Sequence, residues 1–371
     1  MTMSAANTAV IVPEFRSTVI ISSSPNDMRR ALEGSGVTAT VEAEYGDVVI
    51  EGSDYTLAHH GERSGNPCPC LMENLKSREE QEQLEKQNPL WACADEFDVI
   101  GMSHFDLDAL GGVLALLGLK PEVEEGFWEV AAFVDTHGPH RMEESDHLDP
   151  YVEIKMFAYW AFSETHRVFP PRNGDALDIR DEVQEHLDAL RRIEANDPEL
   201  LEAGAAWYQA KQQLESDSFR QALGVVLLRE SAQFCNHLYR HGNRPLDKGV
   251  VTFNPERRSV TLSLESPISG VSCREIAQKL WGPEAGGHDG IAGSPRDVVM
   301  DRQEALRAAL HLNDAINEEL DLFPWCEATG SPCAAGIRFS QCGRPDDATE
   351  CFMACSFQMG AWLPPETKLD W

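Results

Sequence analysis

Short β-branched or apolar runs alternate with helical segments through the first half of the chain, and this alternation narrows the fold more than any other feature. Thr18 to Ser22 (TVIIS) is followed by Pro25, Asn26 and Asp27, a start signal for a helix over Met28 to Glu33. Thr38 to Val41 and Asp47 to Ile50 read as further strands, the second leading into Tyr55-Thr56-Leu57-Ala58-His59-His60. Polar, charge-dense Glu73 to Asn88 reads as a solvated helix. Phe97 to Gly101 (FDVIG) is an apolar strand, Leu110 to Leu119 a helix whose apolar residues run nearly all round, and Val130 to Val134 another buried strand. Such alternation predicts an α/β fold on a parallel sheet, whose ligands collect at the carboxyl ends of the strands. His59, His60, His104, Asp106, Asp108 and Asp135 all follow such strands.

A chain of 371 residues exceeds what one ordinary hydrophobic core supports, so two domains joined by a connector are expected. Residues 1–174 hold the parallel sheet. From Asp175 to about Tyr239 the pattern is helical and rich in Ala, Leu, Glu and Gln, and 175–245 is read as the connector. Residues 246–371 form a smaller α/β domain that opens near Gly249, where Val250 to Phe253 and Ser259 to Leu264 flank Asn254-Pro255-Glu256 as in a hairpin. Its tail carries Cys326, Cys333, Cys342, Cys351 and Cys355, whose irregular spacing favours buried thiols over a metal or cluster.

With 62 acidic against 31 basic residues the formal charge is −31, and so acidic a surface repels a polyanion. Long nucleic acid is thereby excluded as a partner. A small phosphorylated ligand is not, because bound divalent cations invert the local field of an acidic cleft. Met1 to Glu14 shows no basic stretch followed by a long apolar run, and no segment reaches the roughly 18 apolar residues of a membrane span. A cytoplasmic location without a membrane partner is expected, where the ten cysteines are thiols or metal ligands before they are disulfides.

Chemistry concentrates first at Ser103-His104-Phe105-Asp106-Leu107-Asp108-Ala109-Leu110-Gly111, between the strand and the helix. A histidine and two aspartates at alternate positions can point at one spot and supply the nitrogen and carboxylate ligands that Mn²⁺ accepts; one aspartate alone would only cap the helix. Asp135-Thr136-His137-Gly138-Pro139-His140-Arg141 is a second group, with a polar turn as its bland alternative. The third is Ala58-His59-His60-Gly61, in which His59 can coordinate metal while a protonated His60 holds a phosphate oxygen; a pair of surface histidines is the other reading. Six of the twelve histidines fall between His59 and His147. Cys68-Pro69-Cys70 is too closely spaced for the usual zinc pattern and reads as buried or incidental thiols. In the second half, Ala285-Gly286-Gly287-His288-Asp289-Gly290-Ile291-Ala292-Gly293 is glycine-dense, which lets backbone N–H groups approach an anion and His288 add a donor; a flexible turn is the alternative.

On two of these motifs the chain resembles the DHH phosphoesterase superfamily with a DHHA1 second domain. Ser103 to Gly111 is similar to the family's first motif in its H-x-D-x-D form, and Gly286 to Gly293 to the GGGH-x-x-AAG loop, preceded by a similar lead-in from Val271 to Lys279. The resemblance implies that His104, Asp106 and Asp108 are metal ligands, that Asp135 is the bridging aspartate of the second motif or a counterpart of the third, and that Gly286, Gly287 and His288 meet substrate. The sequence holds no Asp-His-His triplet; the nearest strings are Ala58-His59-His60, which precedes the first motif, and Asp135-Thr136-His137. The expected activity is hydrolysis of a nucleotide, cyclic dinucleotide or short oligonucleotide at two Mn²⁺ ions, with Mg²⁺ or Co²⁺ admissible. His60, His137 and Arg141 would neutralise phosphate oxygens, and a homodimer is admissible. The competing expectation is a non-catalytic nucleotide-binding or regulatory protein on a degenerate scaffold of this type.

Overall fold

Four runs of the first half become neighbouring parallel strands: β1 (Thr18–Ile21), β2 (Thr38–Val41), β5 (Tyr55–Leu57) and β6 (Val99–Met102). In the computed structural model, which describes residues 13–45, 48–59, 63, 65–75, 97–171, 175–242, 245–283, 285–295 and 298–320 with short strands at 325–326 and 331–332, they lie in the order β5-β2-β6-β1. A two-residue edge strand, β7 (Leu177–Asp178), joins β1 antiparallel. Helix α1 (Pro25–Leu32) starts earlier than expected because Ser24 caps it, accepting the Asp27 N–H at 3.3 Å, with proline at the first helical position. The expected strand Asp47 to Ile50 does not enter this sheet. The chain turns out at Glu42, and among the described residues β4 (Val48–Val49) pairs with β3 (Glu44–Tyr45) in a separate antiparallel ribbon.

Helix α2 (Leu107–Leu116) is buried at all ten of its positions, as a helix apolar all round must be. It begins three residues before the expected Leu110, because Asp106 caps it through the Ala109 N–H at 2.9 Å. Val130 to Val134, expected as a strand, lies inside helix α3 (Phe127–His137). A short apolar run cannot be told from a buried helix by periodicity alone. Here Gly126 and Gly138, at φ +86° and +87°, bracket eleven residues whose Phe127, Val130 and Ala131 face the core. Helices α4 (Pro150–Thr165), α5 (Arg180–Glu194) and α6 (Pro198–Ser218) follow. The expected helix Glu73 to Asn88 falls mostly outside the described residues.

The chain divides into two compact units, Met1–Gln209 and Ala210–Trp371. The helical pattern stops at Ser218 instead of continuing to Tyr239: β8 (Phe219–Leu223) and β9 (Val226–Glu230) form a hairpin whose two-residue turn has Gly224 at φ +68°. They complete a mixed sheet in the order β12-β13-β11-β10-β9-β8. Its other members are β10 (Gly249–Asn254), β11 (Ser259–Leu264), β12 (Gly286–Gly287) and β13 (Ile291–Gly293). Helices α7 (Cys273–Trp281) and α8 (Arg302–Glu319) share one core with this sheet through Cys273, Ala277, Ala308, Leu312 and Ile316. Of the tail cysteines, Cys333, Cys342, Cys351 and Cys355 lie outside the described residues. Among the described residues no helix is long and apolar enough to cross a membrane.

Two glycines of α2 decide how the first unit closes. A Cβ on Gly111 would lie 2.5 Å from Cys70 Cβ, and one on Gly112 would lie 2.6 Å from Pro69 and 2.8 Å from Val41. Their hydrogens let the single 3₁₀ turn Pro69–Leu71 press against the helix. Gly111→Ala should therefore cost about 1–3 kcal/mol of overpacking. Urea unfolding of the metal-free protein checks this, and an unchanged midpoint would show that the turn yields freely.

Candidate metal centre

Three neighbouring strands end in the residues that build the site. β2 runs into Glu42, β5 into Ala58-His59, and β6 into Ser103-His104. Glu42 is fully buried and adopts φ +48°, a left-handed conformation that costs a non-glycine residue about 1–3 kcal/mol. Its N–H donates to Leu57 O at 2.7 Å, and its carbonyl accepts the N–H and Oγ–H of Ser103, so both flanking strands hold it there. The twist turns its carboxylate between two imidazoles: Oε1 lies 2.6 Å from His59 Nε2 and Oε2 lies 3.0 Å from His104 Nε2.

Asp106 and Asp108 each divide their oxygens between backbone and site. Asp106 Oδ1 takes the Ala109 N–H while Oδ2 stands 3.2 Å from His104 Nε2. Asp108 Oδ1 takes the Cys70 N–H at 3.0 Å while Oδ2 stands 3.3 Å from His59 Nε2. The cap and the ligand are thus not alternatives at Asp106. The H-x-D-x-D residues do not point at one spot, because α2 begins at Leu107 and turns Asp108 away from Asp106. Glu42, His104 and Asp106 form one group of potential ligands, and His59, Asp108, Asp135 and Cys68 a second. Asp135 reaches the second group from the last turn of α3, with Oδ2 at 3.3 Å from His59 Nε2.

Asp108 Oδ2 and Asp135 Oδ2 are buried and share one imidazole, each 3.3 Å from His59 Nε2. Four carboxylates around two imidazoles carry more negative charge than the histidines balance, and Asp135 adds its charge near the negative end of a helix dipole. The titrations follow. Burial, then the charges of Asp106, Glu42 and Asp108, push the Asp135 carboxyl up to about 7. Burial also raises Asp108. Burial by itself would lower His59, but hydrogen bonds to Asp108, Cys68 and Glu42 outweigh it and carry the imidazole up to about 12. His104 rises to about 11 in the same way, through Asp106 and Glu42. The site demands positive charge, which protons or cations can supply. Its contacts of 2.6 to 3.3 Å between donor atoms match the spacing of about 3 Å between adjacent ligands of an ion with bonds near 2.1 Å. The nitrogen and oxygen donors of each group fit a metal ion.

Among the described residues, the remaining expected ones are not members of these two groups. His60 is outside the described residues. His137 is exposed, stacked on Phe133 with ring centroids 4.3 Å apart, and its Nδ1 is 3.1 Å from Phe133 O. Arg141 pairs with Glu144 at 2.5 Å. Neither is among the clustered ligands. In the second unit the glycine-dense run is a hairpin and not an open loop: Gly286 pairs with Gly293, Gly287 with Ala292, and the His288 N–H donates to Ile291 O at 2.6 Å. A Cβ on Gly287 would meet Ile291 O at 2.3 Å, which accounts for that glycine by the hairpin alone. His288 itself is exposed beside the turn. Glu42 is missing from the sequence reading, where its one signal is its place directly after a strand; Cys68, read there as a buried or incidental thiol, is a buried free thiol that also stands beside His59. No protein-family model and no curated protein matches the chain.

The Asp135 shift sets a pH dependence. Its folded value of about 7 exceeds the ordinary 3.8, so the folded state holds a proton that the unfolded chain releases, and the stability this gives is lost as pH rises toward 7. Between pH 5 and 6.5 the metal-free wild type should lose about 2 kcal/mol relative to Asp135→Asn, read by chemical denaturation in a chelator. Parallel pH profiles for the two proteins would show that Asp135 titrates normally.

Proposed function

We propose that the chain is a metal-dependent phosphoesterase that hydrolyses a small phosphorylated substrate, such as a nucleotide, cyclic dinucleotide or short oligonucleotide, at two divalent cations of the Mn²⁺ type. The observation that carries this reading is the Glu42 carboxylate, whose two oxygens face His59 and His104 separately and so join two ligand groups into one centre. When bound, such a pair of cations lowers the pKa of a water and offsets charge on phosphoryl oxygens, the chemistry that phosphoester hydrolysis needs at neutral pH. The resemblance of Ser103 to Gly111 to the DHH first motif supports the same class.

The chain's own residues have narrower tasks. His59 and His104 present Nε2 to the cations, while Glu42, Asp106, Asp108 and Asp135 present one or both oxygens. The backbone amides of Ala109 and Cys70 hold Asp106 and Asp108 by their other oxygens, so neither carboxylate has to be ordered at the moment of binding. Sheet and helix cover keep bulk water from Glu42, His59 and Asp108. The overall charge of −31 supports a small substrate over a long polyanion. The proposal gives no role to His137, whose Nδ1 faces Phe133 O, or to Arg141, which pairs with Glu144. A cytoplasmic location belongs to the same proposal.

The test strips the protein with chelator, reloads it with Mn²⁺, and follows both bound metal and hydrolysis of bis-p-nitrophenyl phosphate. Wild type should take up metal and hydrolyse the diester only when loaded. Glu42→Gln and Asp108→Asn should fall to background, and metal-free Asp108→Asn should melt at an unchanged or higher temperature because a buried like charge has gone. Bound metal without turnover of any phosphoester would favour a non-catalytic binding protein, and failure to bind metal would remove the proposal's basis.

A further inference from the structure

Cys68 approaches the His59 ring at the nitrogen that the carboxylates do not face. Its Sγ is 3.5 Å from Nδ1, whereas Glu42, Asp108 and Asp135 all face Nε2. Sγ also lies within 4.8 Å of a carboxylate oxygen of Asp108 and of Asp135, so its contact with Nδ1, and not distance from the carboxylates, sets its role. The thiol is also 3.7 Å from Ala132 O, and a carbonyl can only accept. The single S–H proton therefore goes to Ala132 O, which leaves the sulfur lone pairs to accept the Nδ1–H of His59.

The same chain of donors recurs at the other histidine with different chemistry. Ser103 Oγ donates to Glu42 O, so the hydroxyl oxygen accepts the Nδ1–H of His104 at 2.9 Å and leaves Nε2 to face Glu42 and Asp106. Two histidines on different strands each have an X–H group behind Nδ1 that passes its own proton to a backbone carbonyl. A metal-bound imidazole needs this tautomer, and its outer partner is ordinarily a carboxylate, carbonyl or water. Here one partner is a thiol.

Resting on the metal centre proposed above, we infer that Cys68 is a positioning residue for it: the sulfur accepts the Nδ1–H of His59, fixing the tautomer and ring orientation that turn Nε2 toward the cation, and is not itself a ligand. The turn that carries Cys68 also carries Cys70, whose N–H holds Asp108, so one turn pressed against Gly111 and Gly112 orients two ligands of the same group.

The experiment compares wild type, Cys68→Ala and Cys68→Ser, each shown to be folded by circular dichroism. Calorimetric titration with Mn²⁺ alone should show the alanine variant binding about 10- to 100-fold more weakly at one site, as for loss of an outer-shell partner. The serine variant should recover near wild-type affinity, because its hydroxyl both donates and accepts. Wild type loaded with Co²⁺ should show no sulfur-to-cobalt charge-transfer band in the near ultraviolet. In Zn²⁺-loaded protein labelled with ¹⁵N-histidine, His59 should carry its proton on Nδ1. Equal affinity in all three proteins, a charge-transfer band that vanishes in Cys68→Ala, or a proton on Nε2 would each overturn the inference while leaving the metal centre standing. A wild type that binds no cation would sink both, and is recognised before any variant is compared.

Discussion

Glu42 has one carboxylate, and its two oxygens face two different histidines. Everything else in the first unit is arranged around the cost of that placement. A buried carboxylate repels its neighbours and loses hydration, and three more carboxylates crowd the same space. The charge must be met there, by protons on the imidazoles and on Asp135 or by cations. That the imidazoles are driven far above their usual range expresses this demand as much as the buried oxygens do.

The scaffold holds such a group together by spreading its attachments over many elements. Strand ends set Glu42, His59 and His104 side by side, the start of α2 supplies Asp106 and Asp108, and the end of α3 supplies Asp135. Backbone amides hold two of the aspartates by the oxygen not used in the site. The left-handed residue at Glu42 is held by hydrogen bonds to both neighbouring strands, which is how a strained conformation persists. Loss of the close contact at Gly111 would loosen the turn that touches both His59 and Asp108.

The two histidines are oriented from behind by dissimilar groups, a hydroxyl and a thiol, that do the same work because each has one proton to give and a lone pair to receive. Sulfur makes the weaker contact, so the His59 side depends more on packing around Cys68. The second unit is built on other principles. Its glycines serve hairpin geometry, with Gly287 required by the close approach of Ala292 and Ile291.

Much of this could be read without coordinates where the cause is local. β-Branched runs at Thr18, Thr38 and Val99 form strands because their neighbours along the chain favour it. The cluster from His104 to Asp108 stands out because several ligand types sit between a strand and a helix within a few residues. Val130 to Val134 misled because a buried helix and a buried strand present the same short apolar run, and only packing separates them. Glu42 could not be singled out in a chain with 62 acidic residues, and Cys68 looked incidental because its spacing from Cys70 is wrong for zinc. The sequence by itself determined that the runs at Thr18, Thr38 and Val99 are strands, that the chain from Gly249 opens with two more, and which residues of the first unit have ligand chemistry. Tertiary structure alone decided that Glu42 joins two groups, that Asp106 and Asp108 part company, and that a thiol stands behind His59. These depend on distances between residues far apart in the chain, which periodicity and local spacing do not encode.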